Sequence, residues 1–449
     1  MSNRLRSLAL GLFGATALAA PAFAVDLDVT CRCVIGGVNS ATAEWIEQSV
    51  IPAFEAANPG VTVTLNQFGG EDAQLTQQLA LDFSTGAGPD VSAFDGFLIP
   101  SFVEGGLLKS LDEVAGPEVN DWSGWDALSE GSRALMLYQD KYYGIPLGTD
   151  VRMIYTRKDI LAEAGIDADN WQPTSWEDIL EAARAVKAVK PDSFPIQLNA
   201  GVAMGEATTM QGYWLALLGT GEAVTDESGK FIVSSQGILD TLNLYKTIYV
   251  DEQLGDQRAQ LLADGRNRSF ANFRDGVTAL LFEGDYFYRS VTPEGSEFAV
   301  ANRDEVMGWA KVPAREPGAG IRGQDFVTIS GGTGFVLNPA TDSPKEAWAF
   351  LSFMNEPEQL AAFQALQPRI TARTDVAIPD SPFLTETSQA LLPLTTARPN
   401  DPNYNAVSSE IQRMTEAVVS GELSPEEAMA QYKAAVIAIV GEENTVSLL

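Results

Sequence analysis

Asp95, Asp150 and Asp285 each stand next to a short apolar run, with Arg152 two positions after Asp150 and Tyr286 directly after Asp285. Carboxylates bind pairs of hydroxyls, and a guanidinium binds hydroxyls, a carboxylate or a sulfonate through two parallel hydrogen bonds. Flat aromatics, of which Trp214, Tyr286 and Tyr404 are candidates, offer a face for stacking. Asn39 and Ser40 follow a Gly-Gly turn, and Gly332 with Thr333 follows Gly331, where glycine permits close backbone approach to a ligand. Structural roles compete at every one of these positions. Asp95 can simply fix its own turn, and Asp150 with Arg152 can form an ion pair. Trp214 can be core alongside Leu215, Leu217 and Leu218, Tyr404 can pack its loop, and the glycines can serve a hinge. Arg369 reads as a surface or interlobe ion pair.

Composition narrows the chemistry. The 449 residues contain no histidine, so Ser-His-Asp systems, Cys-His systems and His-ligated zinc are excluded. Asp plus Glu number 60 against 29 Lys plus Arg, an excess that repels nucleic-acid phosphates. No cofactor and no metal site are expected, although an oxygen-ligated calcium in an acidic loop stays open. The run from Thr225 to Lys230 reads as a turn, because it lacks the spaced carboxylates of a calcium loop. A glycosidase needs only two carboxylates, so that chemistry survives as the alternative.

The elements that position these residues alternate. A strand at Leu27 to Ile35 precedes a helix holding Trp45, Ile46, Ile51 and Phe54, then a strand at Val61 to Leu65. A helix at Asp72 to Ser84 precedes a strand at Asp90 to Phe94, and the same alternation continues from Arg152 to Phe282. Such alternation predicts α/β architecture with mainly parallel sheets, whose ligands lie beyond the carboxyl ends of the strands. The start of the chain, with Arg4, Arg6, an apolar run Leu8 to Ala20 and Ala22-Phe23-Ala24, reads as a signal peptide over 1–24. Cys31 and Cys33 read as two small apolar residues on one strand face, with a disulfide the less expected state because an extended strand separates them widely.

Six stretches in order resemble the extracellular solute-binding proteins of ABC sugar importers, the class that includes maltose-binding proteins. They are Gly88-Pro89-Asp90-Val91 with Gly105 to Leu111; Tyr143 to Pro146; Met153 to Asp159; Thr174 to Asp178; Gly276 to Leu280 before Gly284-Asp285-Tyr286; and Gly331-Gly332 before Ala347 to Leu351. The resemblance implies a two-lobe periplasmic binding protein fold, each lobe a mainly parallel sheet flanked by helices, joined by hinge crossings near Gly148 to Asp150, Gly331, and Thr385 to Ala390. One lobe would take 25–148 plus about 332–385, and the other 149–331 plus about 386–449. It also implies a non-enzymatic monomer in the periplasm that binds a sugar and hands it to a membrane permease. Asp95, Trp214, Asp285, Tyr286 and Tyr404 match positions where the family commonly contacts sugar. The family often has Trp where this chain has Tyr286, and the cysteine pair lies outside the pattern.

Overall fold

The computed structural model describes residues 25–379 and 381–449, so the signal sequence expected over 1–24 lies outside the described residues. The chain opens with β1 (Val25–Cys31), continues through a helical stretch over 40–57, and returns in β2 (Val61–Gln67). β1 and β2 are parallel, in register from Val25 opposite Val61 to Cys31 opposite Gln67. Helix α1 (Asp72–Thr85) starts in a capping box between Glu71 and Gln74 and stops at Gly86, whose φ of 68° is a left-handed conformation that glycine adopts without strain. β3 (Val91–Asp95) follows, then β4 (Gly144–Pro146).

The chain then crosses to a second sheet. Its strands are β5 (Arg152–Arg157), β6 (Ile196–Gln197), β7 (Leu280–Gly284) and β8 (Met307–Ala310), with α2 (Trp176–Val189) between β5 and β6. Ser175 caps α2 by accepting from the Asp178 amide, and the Asp178 carboxylate answers in a capping box. β9 (Val312–Pro313) and β10 (Phe326–Ser330) lead back to β11 (Thr333–Leu337), which completes the first sheet. Helices α3 (Pro344–Met354), α4 (Pro357–Leu366) and α5 (Pro382–Leu391) precede β12 (Thr395–Ala397), and α6 (Tyr404–Val419) and α7 (Pro425–Val440) close the chain.

The first sheet has the order β2-β1-β3-β11-β4 and the second β8-β5-β7-β6, with β9-β10-β12 beside them. Both main sheets are mixed. β11 runs antiparallel to β3 and β4, and β5 runs antiparallel to β7 and β8, while β7 and β6 are parallel. The antiparallel pairs arise where the chain re-enters a sheet after crossing from the other, which periodicity within single segments does not record. Each sheet has its own core: Leu27, Val29, Trp45 and Phe350 lie beneath the first, and Ile154, Trp214, Leu280 and Tyr404 within the second.

The chain passes from the first sheet to the second between β4 and β5 and returns between β10 and β11. In α5, Phe383 stacks on Tyr288 at 3.9 Å and on Tyr155 at 6.0 Å, against the second sheet. The cysteines require a correction: Cys31 and Cys33 form a disulfide, with Cα atoms 5.2 Å apart. β1 ends at Cys31, and the Cys33 amide donates to the Cys31 carbonyl at 2.8 Å, a three-residue turn that draws the two together. Among the described residues no helix is long and apolar enough to cross a membrane.

Candidate functional site

The carboxyl end of β3, the crossings, the end of β7 and the turn after β12 meet along one seam between the sheets. The register that sets Thr333 opposite Asp95 places the second crossing beside the end of β3. Asp95 Oδ1 accepts from Arg398 Nη2 at 2.7 Å, an ion pair that spans the seam. The same guanidinium lies 4.0 Å over the Phe97 ring and reaches Glu206 at 3.4 Å. Glu206 in turn accepts from Tyr404 Oη at 3.0 Å and from Ser408 Oγ. Burial pushes the Asp95 carboxyl up to about 6, against the pull of Arg398 and with Asp150 and Glu206 adding to the rise.

Asp150 and Arg152 form an ion pair at the first crossing, and Asp150 Oδ1 also accepts from the Gly331 amide at 2.6 Å. Arg152 donates to the Ile329 carbonyl at 3.2 Å, while its Nε is buried without a partner. One carboxylate therefore ties two crossings together.

β7 ends in Glu283-Gly284, with Asp285 and Tyr286 directly after. Glu283 is fully buried and accepts from Tyr286 Oη at 2.6 Å and from Arg266 at 3.2 Å. Tyr286 Oη further accepts from Arg266 at 2.9 Å and from Gln211 Nε2, leaving Gln211 Oε1 buried and unpaired. The Tyr286 ring is half-buried and lies against Gly284, where a Cβ would stand 2.3 Å from Tyr286 Cε1. Any side chain at Gly284 would displace the ring. Asp285 gives one oxygen to Arg289 at 2.9 Å, and its other oxygen, Oδ1, is buried without a donor. Burial raises its carboxyl, with Arg289 pulling the other way. Arg289 also donates to Gln367 Oε1 at 3.0 Å, a second polar tie across the seam.

Asp95, Asp150, Arg152, Asp285 and Tyr286 are thus brought together, and the other six candidates take different roles. Trp214 is a correction: it is 1% exposed inside the second core and its Nε1 donates to Tyr404 Oη at 3.0 Å, so no ring face is open for stacking. The Tyr404 ring is likewise fully buried, edge-on to Phe97. Asn39 and Ser40 tie their own loop, through Asn39 Nδ2 to the Arg32 carbonyl and Ser40 Oγ to Gly36 and Glu44. Gly332 is buried at the crossing, where a Cβ would stand 2.2 Å from Leu135 and 2.7 Å from the Gly148 carbonyl, which makes it a packing glycine. Thr333 beside it is exposed, with its carbonyl accepting from Leu147.

Glu206, Gln211, Arg266, Glu283, Arg289 and Arg398 are members of the seam that single-segment patterns did not select. Their signal is pairing across the chain, as with Arg398 and Asp95, and only the strand-end position of Glu283 was visible in advance. Among the described residues no group of three or more His, Cys, Asp or Glu is arranged to hold a metal. The Asp226 carboxylate makes a turn, accepting from Ser228 and Lys230.

The profile of the family described as bacterial extracellular solute-binding protein matches residues 39–361. A binding protein of Brucella abortus (strain 2308) is 23% identical over 441 residues, covering 97% of this chain and 99% of the relative. An arabinooligosaccharide-binding protein of Halalkalibacterium halodurans is 25% identical over 288 residues, 62% of this chain and 57% of that protein. Among solved structures, an ABC transporter solute-binding protein of Thermotoga lettingae, bound with alpha-D-tagatose, superposes with a TM-score of 0.76 at 22% identity, over 93% of this chain and all of that one. At that identity the likeness establishes the two-lobe α/β fold.

Proposed function

Because the chain belongs to the bacterial extracellular solute-binding protein family, we propose that it is the sugar-capturing component of an ABC importer, closing its lobes on a mono- or oligosaccharide and delivering it to a membrane permease. The observation that carries this reading is the set of unpaired buried atoms at the seam. Asp285 Oδ1 and Gln211 Oε1 lack donors and Arg152 Nε lacks an acceptor, beside the half-buried ring of Tyr286. Buried polar atoms without partners are costly, and sugar hydroxyls, which both donate and accept, satisfy all three. The sugar ligands of similar proteins favour the same class.

The reading is of binding without turnover. Each seam carboxylate is held by an arginine: Asp95 and Glu206 by Arg398, Asp150 by Arg152, Glu283 by Arg266 and Asp285 by Arg289. Glycoside hydrolysis needs one protonated carboxyl and one free carboxylate flanking the bond. Export to the periplasm through the amino-terminal signal, action as a monomer, and a lobe division at 25–148 plus about 332–385 against the remainder complete the proposal. A thermal-shift screen against mono- and oligosaccharides, followed by calorimetry, tests it. A ligand at about one hundred times its Kd adds about 2.7 kcal/mol of stability. Hydrolysis of any saccharide in the screen at an enzymatic rate, or no shift from any of them, sinks it.

A further inference from the structure

Arg369 breaks the pairing rule of the seam. The four arginines described above each hold a carboxylate, whereas Arg369 donates no side-chain hydrogen bond and has no carboxylate within 4 Å, among the described residues. It is nevertheless firmly placed. Its amide donates to Gln364 Oε1 at 2.8 Å and its carbonyl accepts from Gln364 Nε2 at 2.8 Å. Its guanidinium lies 4.5 Å over the Phe363 ring, which is itself stacked on Trp45 at 4.5 Å. Nε comes within 3.9 Å of where a Cβ would stand on Gly148, which fixes the guanidinium at the first crossing.

The charged groups nearest to it are Asp285 and Asp150, neither in contact, and Arg289, whose charge adds to the cost. Burial, with Arg289 beside it, pulls the Arg369 guanidinium down to about 9. The guanidinium is half-buried and its nitrogens still reach solvent, so the planar fork is held in place and open to a ligand. A hydroxyl matches it poorly, offering one acceptor and no charge. A carboxylate or sulfonate offers two oxygens to the planar fork and cancels the charge.

We infer that the captured sugar carries one anionic group, a carboxylate or a sulfonate, bound by Arg369, while Asp285 Oδ1, Gln211 Oε1 and Arg152 Nε take its hydroxyls. This rests on the sugar-binding reading above and names its substrate class. The net charge of −31 slows the approach of an anion, but retention is set by contacts at the site.

The test is calorimetry and thermal shift on the full mature chain with D-glucose, D-glucuronate and 6-deoxy-6-sulfo-D-glucose, and with D-galactose and D-galacturonate. At least one anionic sugar is expected to bind ten times or more tighter than its neutral parent, and the winning member tells carboxylate from sulfonate. Arg369→Gln is expected to bring that ratio close to one, and Arg369→Lys to keep part of it. Neither variant is expected to melt more than slightly below the parent without ligand, since among the described residues the residue replaced holds no carboxylate and rests only on the Phe363 ring. A neutral sugar that binds as well as its anionic counterpart overturns the inference and leaves sugar binding standing. A ratio that survives Arg369→Gln overturns the assignment to Arg369, and no response to any of these sugars overturns the inference, while sugar binding stands or falls on the wider screen of mono- and oligosaccharides.

Discussion

Arg398 holds two carboxylates, Asp95 at 2.7 Å and Glu206 at 3.4 Å, and its own side chain is 6% exposed. Replacing it with Ala leaves two acids facing each other without a counter-ion, a change expected to cost about 3–5 kcal/mol, read as a lower denaturation midpoint. Asp95 gives the pH signature. Its carboxyl is raised from 3.8 to about 6, so between these values the folded chain keeps a proton that the unfolded chain has lost. Stability from this group is therefore present at low pH and lost as pH rises through about 6. In melting scans, the advantage of the parent over Asp95→Asn is expected to shrink from pH 4 to 6 and stay level above. An advantage that grows with pH means that Arg398 outweighs burial. Asp95, Asp285 and Tyr286 were legible because each stands at a strand end, where sheets of this kind present ligand groups. Trp214 was ambiguous because its neighbours Leu215, Leu217 and Leu218 have the spacing of a buried helix, and its burial resolves it as core. Trp214→Ala is expected to cost about 3–5 kcal/mol of stability, the usual price of an aromatic core truncation.

At the scale of elements, caps and turns spoke most clearly in the sequence. Ser175 and Ser424 cap α2 and α7 as their Ser-x-x-acid patterns indicate, and Ser175→Ala is expected to destabilise by about 1 kcal/mol in denaturant unfolding. The strand directions were less legible, because β11 enters the first sheet from the other side of the seam and reverses against β3. The cysteine pair shows the same limit, since a strand pattern gives no sign that β1 stops at Cys31 and turns. The disulfide closes only a two-residue step, so loop-closure entropy gives it about 1–2 kcal/mol. Reduction is expected to move the urea midpoint by no more than that.

At the scale of the molecule, the lobes touch through Asp95 and Arg398, Arg289 and Gln367, and Asn400 with the Leu137 carbonyl at 3.0 Å. The charged member of this set weakens with salt and with Asp95→Asn. Small-angle scattering of the unliganded chain is expected to show a larger radius of gyration for Asp95→Asn than for the parent, and addition of a bound sugar to shrink both. Equal radii would mean that the lobes are held by the backbone crossings alone.

The place of β11 between β3 and β4 has a kinetic consequence. The strand that joins β3 to β4 is supplied by residues 333–337, after the entire second sheet has been made. At about 5–20 residues per second of synthesis, the roughly 190 residues separating β4 from β11 take on the order of 10 to 40 seconds to appear. Throughout that interval β3 and β4 have no strand between them, and the first lobe has no complete core to fold around. The first lobe of a chain so ordered is expected to refold slowly from denaturant, in step with its long-range contacts.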